Sequence, residues 1–284
     1  MKKIIWLASY PKSGNTWLRL LLENIFRPED APVCVNDFQV TRSDFHNRSD
    51  CDETFGVESS DLTGNELLIL KRDYIRTQAE TLSSETWVKT HEANARDTRG
   101  EMMIPPEVTM AAIYLVRHPW DVVVSLAAHC GISITQAVAM LDDEEASLAA
   151  GRFSISPLLE LKLGRWRDHV LQWSQTNDFP VFIVRYEDLH ATPESCLLAL
   201  LKNLGIEKSK DIIHNAVLAA EFKVLQRFES DHNFTLKPVG MPKFFRHGRP
   251  GEGAEVLTDD EKLRILQNNK DVMSRWDYLP GIAG

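Results

Sequence analysis

Tyr10-Pro11-Lys12-Ser13-Gly14-Asn15-Thr16-Trp17 joins a short apolar run to an amphipathic one. Ser13 and Thr16 offer hydroxyl donors, Lys12 a charge, and Gly14 lets the backbone approach a ligand closely. A helix starting here would aim its free N–H groups and the positive end of its dipole at one point, which makes an anion site. The same composition also makes an ordinary turn and helix cap, and the run alone does not separate the two. It is not a Walker A loop, because Lys12 precedes the glycine and no Gly-Lys-Ser/Thr follows. A second run, Arg117-His118-Pro119-Trp120-Asp121-Val122-Val123-Val124-Ser125, puts a guanidinium where an apolar strand ends and a hydroxyl one turn into the next helix. The two are near enough to share an anion, although alone the run reads as a surface arginine beside a capped helix. His91, after Lys89-Thr90, is an imidazole suited to proton abstraction near neutral pH. It is one of 9 histidines, most of which must be surface or core residues.

These groups need elements to hold them. Ile4–Ser9 and Ala111–Val116 read as buried strands, with shorter strands at 86–90 and 180–184. Helices are predicted over 15–26, 65–82, 133–149, 157–176, 193–204, 209–222 and 258–276, and Asp121 is expected to cap a helix through Ala128. Trp166, Trp173 and Trp276 fall on helical spacings and read as core. The polar stretch 36–61 lacks periodicity, and 228–256 is rich in Gly and Pro; both read as mobile loops on the substrate side. Strands alternating with helices predict a single α/β domain over 1–284, with a mostly parallel central sheet flanked by helices. Ligands then bind at the carboxyl ends of the strands.

The chain has 284 residues, 43% of them hydrophobic, enough for a sizeable core. Its net charge of −9 argues against a nucleic-acid surface, since such affinity rests largely on neutralised phosphates. An anionic ligand must therefore be held by local donors. No stretch reaches the roughly 18 apolar residues of a membrane span, so no membrane partner is expected. The 4 cysteines, Cys34, Cys51, Cys130 and Cys196, are widely spaced, which speaks against a metal or disulfide framework and for reduced thiols in a cytoplasmic protein.

Taken together, the two runs resemble the 3′-phosphoadenosine-5′-phosphosulfate (PAPS)-dependent sulfotransferases. Tyr-Pro-Lys-Ser-Gly-Asn-Thr-Trp is similar to that family's P-loop-like 5′-phosphosulfate loop, and Arg-His-Pro-Trp-Asp-Val-Val-Val-Ser to its 3′-phosphate segment. Between them lies Lys89-Thr90-His91. Beyond them come Arg185-Tyr186-Glu187-Asp188 and Phe244-Phe245-Arg246-His247-Gly248-Arg249-Pro250-Gly251, in the family's order. The resemblance spans residues 4 to about 275 and is closest to bacterial natural-product members. Asn15 stands where threonine is common and His247 where lysine is usual.

The resemblance implies transfer of a sulfuryl group from PAPS to a hydroxyl of a small-molecule acceptor, releasing 3′,5′-adenosine bisphosphate (PAP), without a metal. Lys12 would act on the leaving phosphate and His91 as general base, with Lys89 beside them in the catalytic group. Ser13, Gly14, Asn15, Thr16 and Trp17 would cradle the 5′-phosphate. Arg117, Ser125, Phe245, Arg246, His247 and Gly248 would line the 3′-phosphate end, and Tyr186 and Phe222 would contact adenine. His118 reads as structural, its pKa lowered by Arg117. A P-loop kinase or NTPase is the rival, but it needs an acidic residue for its metal where this chain has Arg117. A non-catalytic nucleotide-binding protein would need neither Lys12 nor His91. The oligomeric state stays open, a homodimer included.

Overall fold

The computed structural model describes residues 3–27, 35–43, 45–149, 155–237 and 241–279. Five strands, β1 (Ile4–Ser9), β2 (Thr41–Arg42), β3 (Thr86–Thr90), β4 (Thr109–Val116) and β7 (Val181–Arg185), form one sheet in the order β2-β3-β1-β4-β7. A further antiparallel pair joins β5 (Ser147–Leu148) to β6 (Leu161–Lys162). β1 runs parallel to β3, with Ile4 opposite Thr86 and Ala8 opposite Thr90. Every residue of β1 is buried, and so is all of β4 except Met110. Such unbroken apolar runs are what a parallel strand covered on both faces requires.

The helices are α1 (Asn15–Phe26), α2 (Arg48–Phe55), α3 (Gly64–Thr81), α4 (Pro119–Cys130), α5 (Ile134–Leu141), α6 (Trp166–Ser174), α7 (Tyr186–Ala191), α8 (Pro193–Asn203), α9 (Lys210–Ala219), α10 (Phe222–His232), α11 (Glu252–Val256) and α12 (Asp259–Arg275). The chain forms two compact units. The first comprises residues up to Tyr10, 42–114 and 142–181; the second comprises 11–41, 115–141 and 182 onward. In the first, Trp6, Tyr114, Trp166 and Trp173 are fully buried, and a smaller apolar cluster gathers Cys51, Tyr74 and Leu159. In the second, α1 packs on α9, and α4 packs on α11 and α5. No single helix among the described residues is long and apolar enough to cross a membrane.

Several elements differ from the sequence reading for identifiable reasons. The 36–61 stretch contains α2, which has only Cys51 buried and so shows no apolar period. The helix predicted over 133–149 ends at Leu141, and the one predicted over 157–176 begins only at Trp166, after β6. Within 228–256 lie the end of α10 and all of α11. Asp121 does not cap α4. His118 does, its ring accepting from the Trp120 amide, while Asp121 accepts from the amides of Gly251 and Gly253 at 2.9 and 2.7 Å and so holds the start of α11.

Candidate active site

The second unit carries the loop that follows β1. Lys12 has φ 70° and Gly14 φ 104°, and left-handed residues within a turn make the backbone concavities that bind anions. For lysine this conformation costs about 1–2 kcal/mol. α1 follows its cap residue Gly14, with no side-chain cap and no acidic residue in its first turn, so neither offsets the positive end of its dipole. Ser13 is fully buried, and its Oγ has no hydrogen-bond partner. A buried hydroxyl left this way is costly, and the oxygen of an anionic ligand would satisfy it.

Arg117 and Tyr186 close this loop from one side. The Arg117 guanidinium donates to the Lys12 carbonyl at 3.3 Å and lies 4.2 Å from the centre of the Tyr186 ring. It also pairs with Asp121 at 3.6 Å, while its Nε makes no hydrogen bond. The Tyr186 ring packs so closely on Gly14 that a Cβ there would meet it at 2.5 Å, and Trp17 meets the same ring edge-on at 5.7 Å. Tyr186 donates from its hydroxyl to the Gly248 carbonyl at 2.7 Å. Gly248, at φ 64°, lies so near Phe222 that a Cβ would come within 2.2 Å of that ring. Gly14, Trp17, Arg117, Tyr186, Phe222 and Gly248 thus converge, although the sequence scatters them over five segments.

The remaining predicted donor-site residues occupy the same unit. Asn15 is buried at the start of α1, Thr16 half-buried beside it, and Ser125 half-buried on α4. Phe245 is buried among Phe222, Phe234 and Phe244. Arg246 donates to both oxygens of Glu252 at 3.0 and 3.1 Å. His247 is exposed, 3.6 Å from the same carboxylate. Sequence reasoning missed Glu252, since a carboxylate in an anion site contradicts the charge argument until its arginine partner is seen. It also missed His129, whose Nδ1 lies 3.2 Å from the Lys12 ammonium; Phe244 supplies a ring face 4.7 Å from the same ammonium. The only signal was the four-residue step Asp121, Ser125, His129 along α4, which puts these three on one helix face, with Arg117 one further step back, just ahead of the helix.

The first unit carries His91 just past the end of β3. Its Nδ1 is 2.8 Å from the Ser9 carbonyl and 3.3 Å from the Ser9 hydroxyl. A carbonyl only accepts, so the neutral ring has its proton on Nδ1 and a lone pair on Nε2, the form a general base needs. Lys89 is half-buried in β3 opposite Leu7. The neighbouring Glu92 carboxylate is buried and paired with Lys71. His118 is lowered below the usual histidine range as expected, but burial is the main cause and Arg117 the smallest. Among the described residues no three His, Cys, Asp or Glu side chains are grouped as metal ligands would be.

The chain matches the sulfotransferase domain over residues 2–277 and belongs to that family, whose members take a sulfuryl group from PAPS. It is 23% identical over 268 residues to the mouse sulfotransferase 1 family member D1, covering 89% of this chain and 78% of that protein. Cytosolic sulfotransferase 13 of Arabidopsis thaliana is 23% identical over 284 residues, covering 96% and 78%. Among solved structures, mouse SULT7A1 complexed with PAP shares the fold at a TM-score of 0.60 and 17% identity, covering 96% of this chain and 85% of that one. Retinol dehydratase in complex with androsterone and PAP does so at 0.63 and 17%, covering 99% and 83%.

Proposed function

We propose that this chain transfers the sulfuryl group of PAPS to a hydroxyl of a small-molecule acceptor and releases PAP. The observation that carries the donor half is the left-handed loop at Lys12–Gly14, with its buried, unpartnered Ser13 hydroxyl and Arg117 beside it. Lys12, Ser13, Gly14, Asn15, Thr16 and Trp17 take the 5′-phosphosulfate. Arg117, Ser125, Phe245, Arg246, His247 and Gly248 take the 3′-phosphate end, and Tyr186 and Phe222 the adenine. In the reaction the acceptor oxygen bonds to sulfur, the bond from sulfur to the bridging phosphate oxygen breaks, and the acceptor proton passes to Nε2 of His91. Charge grows on the leaving phosphate, where the Lys12 ammonium stabilises it with no metal. Lys89 belongs to the same catalytic group.

The acceptor class follows from a neutral imidazole base, which suits an alcohol or phenol. Solved structures of retinol dehydratase contain androsterone or retinol with PAP, so apolar alcohols are a rational first panel. In this reading the acceptor side draws on the segments around 36–61, 129–160 and 228–244, whose described residues change hydrogen exchange on binding; exchange identical with and without PAP and acceptor would refute this. The reaction itself is tested by incubating the chain with PAPS and an acceptor panel and weighing the products. A sulfuryl mass increment that requires PAPS is the expected result. A melting shift with Mg-ATP and none with PAP would sink the assignment.

A further inference from the structure

His169, in α6, has no exposed surface. Its Nε2 lies 3.1 Å from the main-chain oxygen of His91, and its Nδ1 lies 2.9 Å from the Tyr114 hydroxyl. Because a carbonyl only accepts, Nε2 carries the proton, which leaves Nδ1 to accept from Tyr114. Four residues on along the same helix, Trp173 donates from Nε1 to the Glu92 carbonyl at 3.0 Å. Two adjacent carbonyls, those of His91 and Glu92, are therefore held by two residues on one face of α6.

We infer that His169 is a positioning residue for His91, fixing through the His91 carbonyl the place from which the imidazole works. The inference rests on the reading of His91 as the base. The ring is anchored from the opposite side by the Ser9 carbonyl, so backbone and side chain are each tied to a separate element. Tyr10 meets the His169 ring edge-on at 5.4 Å and prevents it from turning. The next residues are tied as well: the Ala93 amide donates to the Lys162 carbonyl, and the Lys162 amide to the Glu92 carboxylate, at 2.8 and 2.9 Å. Burial pushes His169 down to about 4, so the link persists through the neutral range. An apolar residue at 169 would leave two buried polar partners unmatched, which histidine satisfies at once.

Two amides separate positioning from mere packing. Gln places its amide nitrogen where Nε2 stands, and Asn places its amide oxygen where Nδ1 stands. His169→Gln therefore keeps the bond to the His91 carbonyl and loses Tyr114, whereas His169→Asn does the reverse. Each leaves one buried group unpaired, so both should lose melting temperature alike. With saturating PAPS and a verified acceptor, kcat of His169→Asn should fall about 10- to 100-fold, the usual effect of misplacing a reacting group. That of His169→Gln should stay near wild type, and PAP affinity should be unchanged in both. Nitrogen-15 shifts of His91 should report the Nδ1-protonated form in wild type and His169→Gln, and a mixture in His169→Asn. Equal kcat in the two variants would overturn the inference. Should an amide variant fail to fold, Tyr114→Phe removes only the hydroxyl and keeps the His169 bond to the His91 carbonyl; kcat and PAP affinity near wild type are then expected, and a fall in kcat of about 10-fold or more would overturn the inference. His91→Ala, measured alongside, keeps the two ideas apart. If it retains turnover, both fall; if it loses turnover while His169→Asn does not, only the positioning inference fails.

Discussion

At the scale of single residues, Lys12 and His91 should be separable by what their loss does. His91→Ala should lower turnover roughly 10²- to 10⁴-fold and leave PAP affinity nearly intact, since His91 does not hold the nucleotide. Near-normal turnover from pH 6 to 9 would make it a structural histidine. Lys12→Ala should lower both turnover and PAP affinity. Lys12→Gly adds a sharper expectation, because a lysine at φ 70° is strained and a glycine is not. That variant should be inactive yet melt higher, with a gain of about 1 kcal/mol in stability. A lower melting temperature would show that the side chain supports the loop. The donor-side residues were legible because they lie in two short runs whose order is itself the signal. Glu252, His129 and His169 were not, since each reaches its partner through folding rather than through spacing.

At the scale of elements, α11 depends on a contact no side-chain pattern announces. A Cβ on Gly253 would come within 2.4 Å of the Trp120 carbonyl carbon on α4. Gly253→Ala should therefore destabilise the protein by about 1–3 kcal/mol, the usual cost of overpacking. It should also weaken PAP binding, because Arg246 is held by Glu252 in α11. Urea titration and calorimetry would check both parts, and an unchanged PAP affinity would detach α11 from the donor site. Elements with strong periods or caps were readable: β1, α1, α3, β3, and α12 with its Thr258–Glu261 capping box. α2 was unreadable because only one of its residues is buried. Asp121 had the composition of a cap and is one, but for α11 rather than α4; a cap's partner need not be its neighbour in sequence.

At the scale of the whole molecule, His169, fully buried, and His118, half-buried, should set the acid limit. Burial lowers the half-buried His118, and the fully buried His169 to about 4. The unfolded chain takes up protons at these sites once pH drops below about 6.5, while the native chain does not, so stability falls as pH falls. For His169 the loss runs from about 6.5 to about 4 and is worth about 3 kcal/mol. Melting temperature should decline over that window, and His169→Gln should flatten the decline. A wild-type curve that is flat between pH 6.5 and 4 would refute the buried neutral state. PAP should act in the opposite direction, adding about 2.7 kcal/mol at 100 times its dissociation constant.

The pairing of β1 with β3 has a consequence during synthesis. β1 is made before β3, as five apolar residues and a serine that are all buried in the finished sheet, and Ile4 must wait for Thr86 before it finds its parallel partner. At 5–20 residues per second, about 80 intervening residues amount to roughly 4 to 16 s. Throughout that interval a sticky, unpaired strand trails from the ribosome, and the loop that follows it has no sheet to hold it open. Codon choice between residues 10 and 86, and the supply of chaperone to that stretch, should therefore govern soluble yield more than codon choice beyond residue 86.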